Sequence, residues 1–282
     1  MNESVPVGDV QLLLQALFEF MPGLLTWSAA VTLHVIRFAI VLMILPVTSE
    51  GVVNNTSRMG IAAMLALYVA LGRPAGELAA LGSSVLMLVV VKEIAIGVAL
   101  GFAMSTVFWV VEYVGALIDN AAGYNSVQLH NPLSSEQSTP VSDLLLRLAG
   151  AVFFAVGGAV YFTQAMFESF QVWPVVDMFP SAQGAYAVFI ERQLSSMFGS
   201  MLKLAAPLLI IMMLIDVGVG LLARSAEKLE PANLAQPIKG IVAILVVLFM
   251  VGTVFEPLRQ YLVPRGVVQQ MLPEPAAPPV RR

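Results

Sequence analysis

The stretch that decides the fold runs from residue 78 to residue 118: LAALGSSVLMLVVVKEIAIGVALGFAMSTVFWVVEYVGALI. It contains no proline, and its one cluster of turn-forming residues, Gly82-Ser83-Ser84, lies near its start. A continuous helix of this length would be about 60 Å long, twice the roughly 30 Å of a bilayer's hydrocarbon core. Two helices that turn near Lys92 are the alternative. Because turn-forming residues are missing there, the sequence favours one long helix.

The composition excludes several classes of protein. Of the 282 residues, 59% are apolar and only 11% are charged, whereas a soluble domain carries about 25% charged residues. This excludes a water-soluble enzyme and a disordered chain. The net charge of -4 excludes nucleic-acid binding through a basic face. The mean hydropathy of +0.87 indicates a chain that needs lipid, detergent or a large apolar partner surface.

No set of residues suited to catalysis or metal binding is present. The chain has no cysteine, so it has no disulfide, thiolate nucleophile or cysteine-based metal site. Its two histidines, His34 and His130, lie far apart in sequence, which argues against a zinc or di-iron centre. The carboxylates are scattered, and no glycine-rich phosphate loop follows a strand. We therefore expect no enzyme activity, no catalytic residue, no cofactor and no metal.

The other long apolar runs predict an all-α membrane protein, because open sheet edges do not occur in hydrocarbon. The clearest predicted span is the charge-free run Leu148–Phe167. Glu19 and Pro22-Gly23 predict a short helix followed by a turn in the first apolar run. The remaining candidate spans are Val31–Val47, Ile94–Val111, Lys203–Arg224 and Gly240–Phe255.

Charges in the polar segments do not fit a simple membrane topology. The segment Asp119–Ser142, predicted to be a loop, has no lysine or arginine, whereas Arg224–Lys239 has three basic residues. The positive-inside rule places these two segments on opposite sides of the membrane. Two predicted spans separate them, which would place them on the same side. Hydropathy alone therefore does not give the topology of this chain.

Charges and glycines inside the apolar runs are the candidate functional residues. Lys92-Glu93 is followed by Gly97 and Gly101, a small-xxx-small spacing that lets helix backbones approach closely. Charge within an apolar helix marks a tight contact or an ion pathway, and we favour the contact. Asp216 could relay protons. Alternatively, it is a buried carboxylate partnered by Arg224, two turns further along the helix.

Arg37 and His34 lie three residues apart, on one face of a predicted helix. A single histidine on an apolar face is usually a core residue whose hydrogen bonds are satisfied, and we interpret His34 in this way.

Several blocks, taken in order, resemble one family, the T subunit of the type III secretion export apparatus, whose flagellar relative is FliR. The likeness covers most of residues 30 to 262 and is closer to the injectisome members than to the flagellar ones. The blocks that carry it are Arg37–Pro46, Met59-Gly60, Val91–Phe102, Gly115–Asp119, Asn131-Pro132, Ala206–Leu208, Asp216–Arg224 and Gln236–Lys239.

The resemblance implies a structural subunit of the export gate in the bacterial inner membrane. It implies an R-like helical region over 1–190 and an S-like helical hairpin over 191–263, while the Pro-rich composition of 264–282 predicts a disordered tail. The implied partners are R and S subunits in a helical complex, the export-gate U and V proteins, secreted proteins in transit and the lipid membrane. Part of that complex would stand above the membrane plane.

We therefore expect a protein-export component that contributes to the conduit wall and has no catalytic activity. The alternative is a proton-coupled secondary transporter that uses Glu93 or Asp216, although the inverted repeats typical of such folds are not found. The residues expected to act in assembly or in the gate are Lys92, Glu93, Gly97, Gly101, Asp119, Asp216, Arg224, Pro237 and Lys239.

Overall fold

The protein is dominated by long helices. A computed structural model describes residues 7–49, 51–72, 83–123, 129–130, 137–177, 185–225, 237–242 and 244–245. The helices are α1 (Val7–Ile44), α2 (Asn55–Leu71), α3 (Ser83–Ala122), α4 (Pro140–Ala155), α5 (Gly158–Val172) and α6 (Ala185–Ser225), with a 3-10 turn at Pro46–Thr48. Two short strands, β1 (Leu129–His130) and β2 (Gln137–Ser138), form an antiparallel pair. The predicted all-α class is confirmed, with this pair as a small exception.

The long proline-free stretch forms one continuous helix, as predicted. α3 has 40 residues, and at 1.5 Å per residue it is about 60 Å long. Within the described residues, three segments are long and apolar enough to cross a membrane: Thr26–Ile44, Ser84–Ala122 and Val188–Leu222. The bent pair α4–α5 would make a fourth if it is counted as one span.

α1 and α3 run parallel to each other with a large stagger. Glu93 of α3 meets Arg37 of α1, and Ser105 of α3 donates a hydrogen bond to the carbonyl of Ile44. α1 begins at Val7, far ahead of its contact with Glu93, and α3 continues to Ala122, far beyond the end of α1. At 1.5 Å per residue, α1 from Val7 to Arg37 and α3 from Glu93 to Ala122 together extend over about 90 Å. This is about three times the thickness of a hydrocarbon core.

Three local predictions are wrong. α1 continues without a turn through Pro22-Gly23, because a proline removes only one backbone hydrogen bond from a long apolar helix. The predicted span Leu148–Phe167 is broken at Gly157, where α4 and α5 meet at a bend of 75°. Gly157 has φ +77°, a left-handed conformation that ends one helix and begins the next.

The third error is the loop predicted to begin at Asp119. α3 extends to Ala122, so Asp119 is a helical residue, and α4 begins already at Pro140.

The C-terminal arm of the predicted hairpin is described only at its start. α6 covers Ala185–Ser225, and residues 237–242 are helical. The predicted boundary between the R-like region and the S-like hairpin, at residues 190 and 191, falls within the first two turns of α6 and stays a prediction. Most of the predicted span Gly240–Phe255 and the tail 264–282 lie outside the described residues.

Candidate functional site

Three charged side chains meet where α1 and α3 pack together, and we call Arg37, Lys92 and Glu93 the charge cluster. Arg37 Nε donates to Glu93 Oε2 at 2.7 Å, and Arg37 Nη2 donates to Glu93 Oε1 at 2.9 Å. Both side chains are 0% exposed. This is the two-pronged geometry in which a guanidinium binds a carboxylate most strongly.

Arg37 also binds the end of α5. Its Nη1 donates to the hydroxyl of Ser169 at 3.1 Å, and its Nη2 donates to the carbonyl of Trp173 at 2.9 Å. The guanidinium carbon lies 4.0 Å from the centre of the Phe170 ring, a cation–π distance. One side chain from α1 therefore joins α3 and α5.

Lys92 holds the turn that follows α5. Its Nζ donates to the carbonyls of Pro174, Val175 and Asp177 at 2.8 to 2.9 Å, and it lies 3.1 Å from Glu93 Oε1. The last carbonyls of a helix lack intrahelical partners and carry a partial negative charge. The two cations thus lie at the negative end of α5, where they bind carbonyls just beyond its last residue as well as Glu93.

The charge cluster is suited to joining helices. Arg37 and Glu93 are fully buried and Lys92 is partly buried, and each is paired and hydrogen-bonded, as burial of a charge requires. Across the described ranges, no group of three or more metal-ligating side chains occurs. Glu93 is enclosed between two cations, so it is not placed as an open proton relay.

Gly97 and Gly101 lie on the same side of α3 and face α1. A Cβ atom built on Gly97 would lie 2.9 Å from Ile40 Cβ, and one built on Gly101 would lie 3.0 Å from Ile44 Cβ. Real Cβ atoms are essentially never closer than 3.0 Å to a neighbour, so Gly97 has no room for a side chain, and at Gly101 the neighbour would have to move by a few tenths of an ångström. The geometry agrees with the close helix approach predicted from the spacing.

Asp119 forms a second buried joint, near the C-terminal end of α3. Its Oδ2 accepts hydrogen bonds from the backbone N–H groups of Val141 and Ser142 at 3.0 and 3.1 Å. These N–H groups belong to the first turn of α4, which needs acceptors and favours negative charge. Thr139, the residue that precedes the helix, makes no side-chain cap bond of its own. Asp119 therefore caps α4 from a different helix.

The remaining predicted residues lie on α6 and the segment after it. Asp216 is paired with Lys239, and its side chain is 56% exposed. The predicted buried pair with Arg224 is wrong, because Asp216 is not buried and its carboxylate meets Lys239 instead. Arg224 lies exposed in the last turn of α6, and Pro237 is an exposed helical residue near Lys239. The described part of the chain does not bring these residues to the charge cluster.

Comparison with known proteins decides the family. The family described as "Bacterial export proteins, family 1" matches residues 28–263, which include the charge cluster, both glycines and Asp119. The chain belongs to this family.

Individual members of bacterial export family 1 resemble the chain over most of its length. The chain is 35% identical over 213 residues to Yop proteins translocation protein T of Yersinia pestis, and the match covers 75% of this chain and 82% of that protein. It is 26% identical over 220 residues to surface presentation of antigens protein SpaR of Salmonella typhimurium, covering 78% and 82%. It is 24% identical over 174 residues to flagellar biosynthetic protein FliR of Bacillus subtilis, covering 61% and 67%.

Some site residues of this family member are not evident from the sequence. Arg37 stands out as a charge in an apolar helix, but no pattern pairs it with a carboxylate 56 residues away. The sequence marks Gly115 only as part of a family-like block, yet a Cβ there would lie 2.5 Å from Ser142 Cα. His34 is buried, its Nδ1 lies 2.7 Å from the carbonyl of Ala30, and its ring packs on Phe170, so its predicted place in the core is confirmed.

Proposed function

We propose that the protein is a structural component of the inner-membrane export gate of a type III protein secretion system, where it forms part of the conduit for secreted proteins. The observation that carries this proposal is the family match over residues 28–263, together with relatives named as translocation and flagellar biosynthetic proteins. No observation favours the proton-coupled transporter.

The described surface supports a role inside an assembly in the membrane. α6 carries a long apolar face, and only five of the 35 residues in its span Val188–Leu222 are buried within the chain. Such a face needs lipid or protein to cover it. The large apolar side chains that are more than half exposed on it are Val188, Phe198, Leu202, Ile210, Met213, Leu214, Val217, Leu221 and Leu222.

The partners that we propose are R and S export-apparatus subunits in a helical complex, the U and V proteins of the export gate, and secreted proteins in transit. The combined length of the staggered pair α1 and α3, about 90 Å, supports a complex that stands partly above the membrane plane, since no bilayer covers that length. We propose that residues 1–190 take the R-like place and that the segment from 191 takes the S-like place. The protein has no enzymatic role in this proposal.

The roles of the individual residues follow from their contacts. Lys92, Glu93, Gly97 and Gly101 set the packing of α1, α3 and α5, and Asp119 sets the start of α4. Asp216 and Lys239 join α6 to the arm that follows it. These contacts fix the shape with which the subunit enters the complex.

Secretion by the bacterium that produces the protein tests the proposal. Deletion of the gene should abolish export of a secreted reporter protein, and the full chain should restore it. A Lys92→Glu variant should fail to restore export, because it places a second carboxylate against Glu93 and against the carbonyls of the turn that follows α5. An Arg147→Glu variant is the matched control, since Arg147 is 68% exposed and pairs with Asp143 one turn away on the same helix. Normal export in the deletion strain would overturn the proposal.

A further inference from the structure

The bent pair α4–α5 is held at both ends. Asp119 binds the first turn of α4, and the charge cluster binds the backbone carbonyls of the turn that directly follows α5. Between these two attachments, α4 and α5 pack on different neighbours. Phe153 of α4 meets Phe108 of α3, whereas Phe170 of α5 meets Phe38 of α1.

The distance between the two attachments matches the bent form. From Glu93 to Asp119, α3 rises by about 39 Å. Helices of 16 and 15 residues joined at 75° span about 37 Å from end to end. The same residues in one straight helix would span about 49 Å, which is about 10 Å too long. A straight helix therefore cannot keep both attachments.

Two adjacent glycines make the bend possible. Gly157 has φ +77°, and no atom lies within 4 Å of the place that a Cβ would take. Glycine is therefore needed at this position for its left-handed conformation and not for its small size. At Gly158 a Cβ would lie 2.3 Å from the Phe153 ring and 2.7 Å from the Phe153 carbonyl oxygen. Both positions would accept alanine in a straight helix, where glycine is the poorer residue.

The backbone around the bend is close to continuous helix. Val156 N–H still bonds the carbonyl of Val152, Gly157 N–H bonds that of Phe154, and Tyr161 N–H bonds that of Gly157. Because these bonds flank the bend closely, α4 and α5 would straighten through changes at two residues, Gly157 and the preceding Val156, whose φ of -87° and ψ of 6° also depart from a helix. The run Leu148–Phe167, which contains the bend, is uncharged throughout.

From these observations we propose that α4–α5 is a two-state element, bent while the charge cluster holds the end of α5 and straight at Gly157 once that hold is released. Lys92 is the part of the cluster best placed for release, because its side chain is 11% exposed whereas Arg37 and Glu93 are fully buried. The use of this element as a moving part of an export gate rests on the proposed function.

A distance measurement between two spin labels tests the proposal. The chain has no native cysteine, so Leu144→Cys on α4 and Gln171→Cys on α5 would be labelled uniquely, and both positions are exposed. Pulsed electron paramagnetic resonance on the full chain in lipid nanodiscs should give about 32 Å for the bent form and about 40 Å for a straight one.

Two independent changes should populate the longer of these two distances. Lys92→Gln removes the ammonium that binds three carbonyls, and the double variant Gly157→Ala/Gly158→Ala disfavours the bend without changing any residue of the charge cluster. Each should add a second population at the longer distance, whereas the labelled parent should show the shorter distance alone. Gly199→Ala, at a partly exposed helical glycine of α6 with nothing within 4 Å of its Cβ position, should leave the parent's distance unchanged.

A parent chain whose main distance is the longer one would overturn the proposal. So would a glycine double variant with normal helical content and only the shorter distance, whether or not Lys92→Gln folds. Normal secretion in a deletion strain would refute the proposed function and leave the distance result intact, so the two failures are distinguishable.

Discussion

Replacement of Glu93 by glutamine should destabilise the protein more than any other conservative single change in the charge cluster. Glutamine keeps the shape of the side chain but removes the carboxylate that is paired with both Arg37 and Lys92. Arg37 would then be a fully buried cation that has lost this carboxylate, while its hydrogen bonds to the Ser169 hydroxyl and the Trp173 carbonyl involve neutral groups.

The expected loss follows from the burial of the pair. Removing one partner of a buried ion pair costs about 3–5 kcal/mol, because the other charge stays buried without compensation. A native domain has a total stability of about 5–15 kcal/mol, so this is a large share of it. The matched control is Arg147→Gln. Its pair with Asp143 has a similar N–O distance of 2.7 Å but is exposed, and such pairs contribute about 0.5 kcal/mol or less.

Equilibrium unfolding in detergent micelles, followed by far-ultraviolet circular dichroism, measures these losses. The double variant Arg37→Met/Glu93→Gln should be more stable than the sum of its single changes predicts, by about 1–3 kcal/mol, because it removes both members of the pair. A loss below about 1 kcal/mol for Glu93→Gln would refute the reasoning, provided that Arg147→Gln is near neutral in the same assay.

Three further predictions concern the helix contacts. Gly97→Ala should lower the free energy of unfolding by about 1–3 kcal/mol, because the new Cβ would meet the rigid Cβ of Ile40. Thermal unfolding scans measure this loss, and Gly199→Ala, with open space around it, should be neutral or stabilising in the same scans. Equal effects of the two changes would contradict the packing role of Gly97. Asp119→Ala should lower the stability of the start of α4 by about 2 kcal/mol, because that helix loses its cap. The loss would be measured as faster backbone hydrogen exchange at the start of α4, and unchanged exchange there would contradict the capping role of Asp119. Lys239→Gln should shift the unfolding free energy by less than about 1 kcal/mol, because its partner Asp216 is more than half exposed; a loss of several kcal/mol would show that this pair is buried in the folded protein.

The long elements could be predicted because they depend on local sequence. The run from residue 78 has neither proline nor central turn residues, and it forms the 40-residue helix α3. The glycine spacing at 97 and 101 predicts the face that packs closely, since residues four apart share one side of a helix. Lys92 and Glu93 stand out as candidates because charge in an apolar helix is costly.

The tertiary contacts could not be predicted from one sequence. The partner of Glu93 is Arg37, which depends on the parallel offset of α1 and α3 and leaves no trace in local sequence. The break at Gly157 also has a non-local origin. A glycine pair alone is tolerated in helices, and here the bend fits the separation of two attachments on distant residues. The polar sequence around Asp119 predicts a loop because its partner turn, at Val141 and Ser142, lies in another helix.

The most direct test of the proposed function is native mass spectrometry of the complex that co-purifies with the full chain from the membranes of the bacterium that produces it. We predict the chain together with several copies of small helical membrane proteins, at a fixed stoichiometry. A chain that is extracted only as a monomer or a homodimer would contradict its proposed place in an export gate.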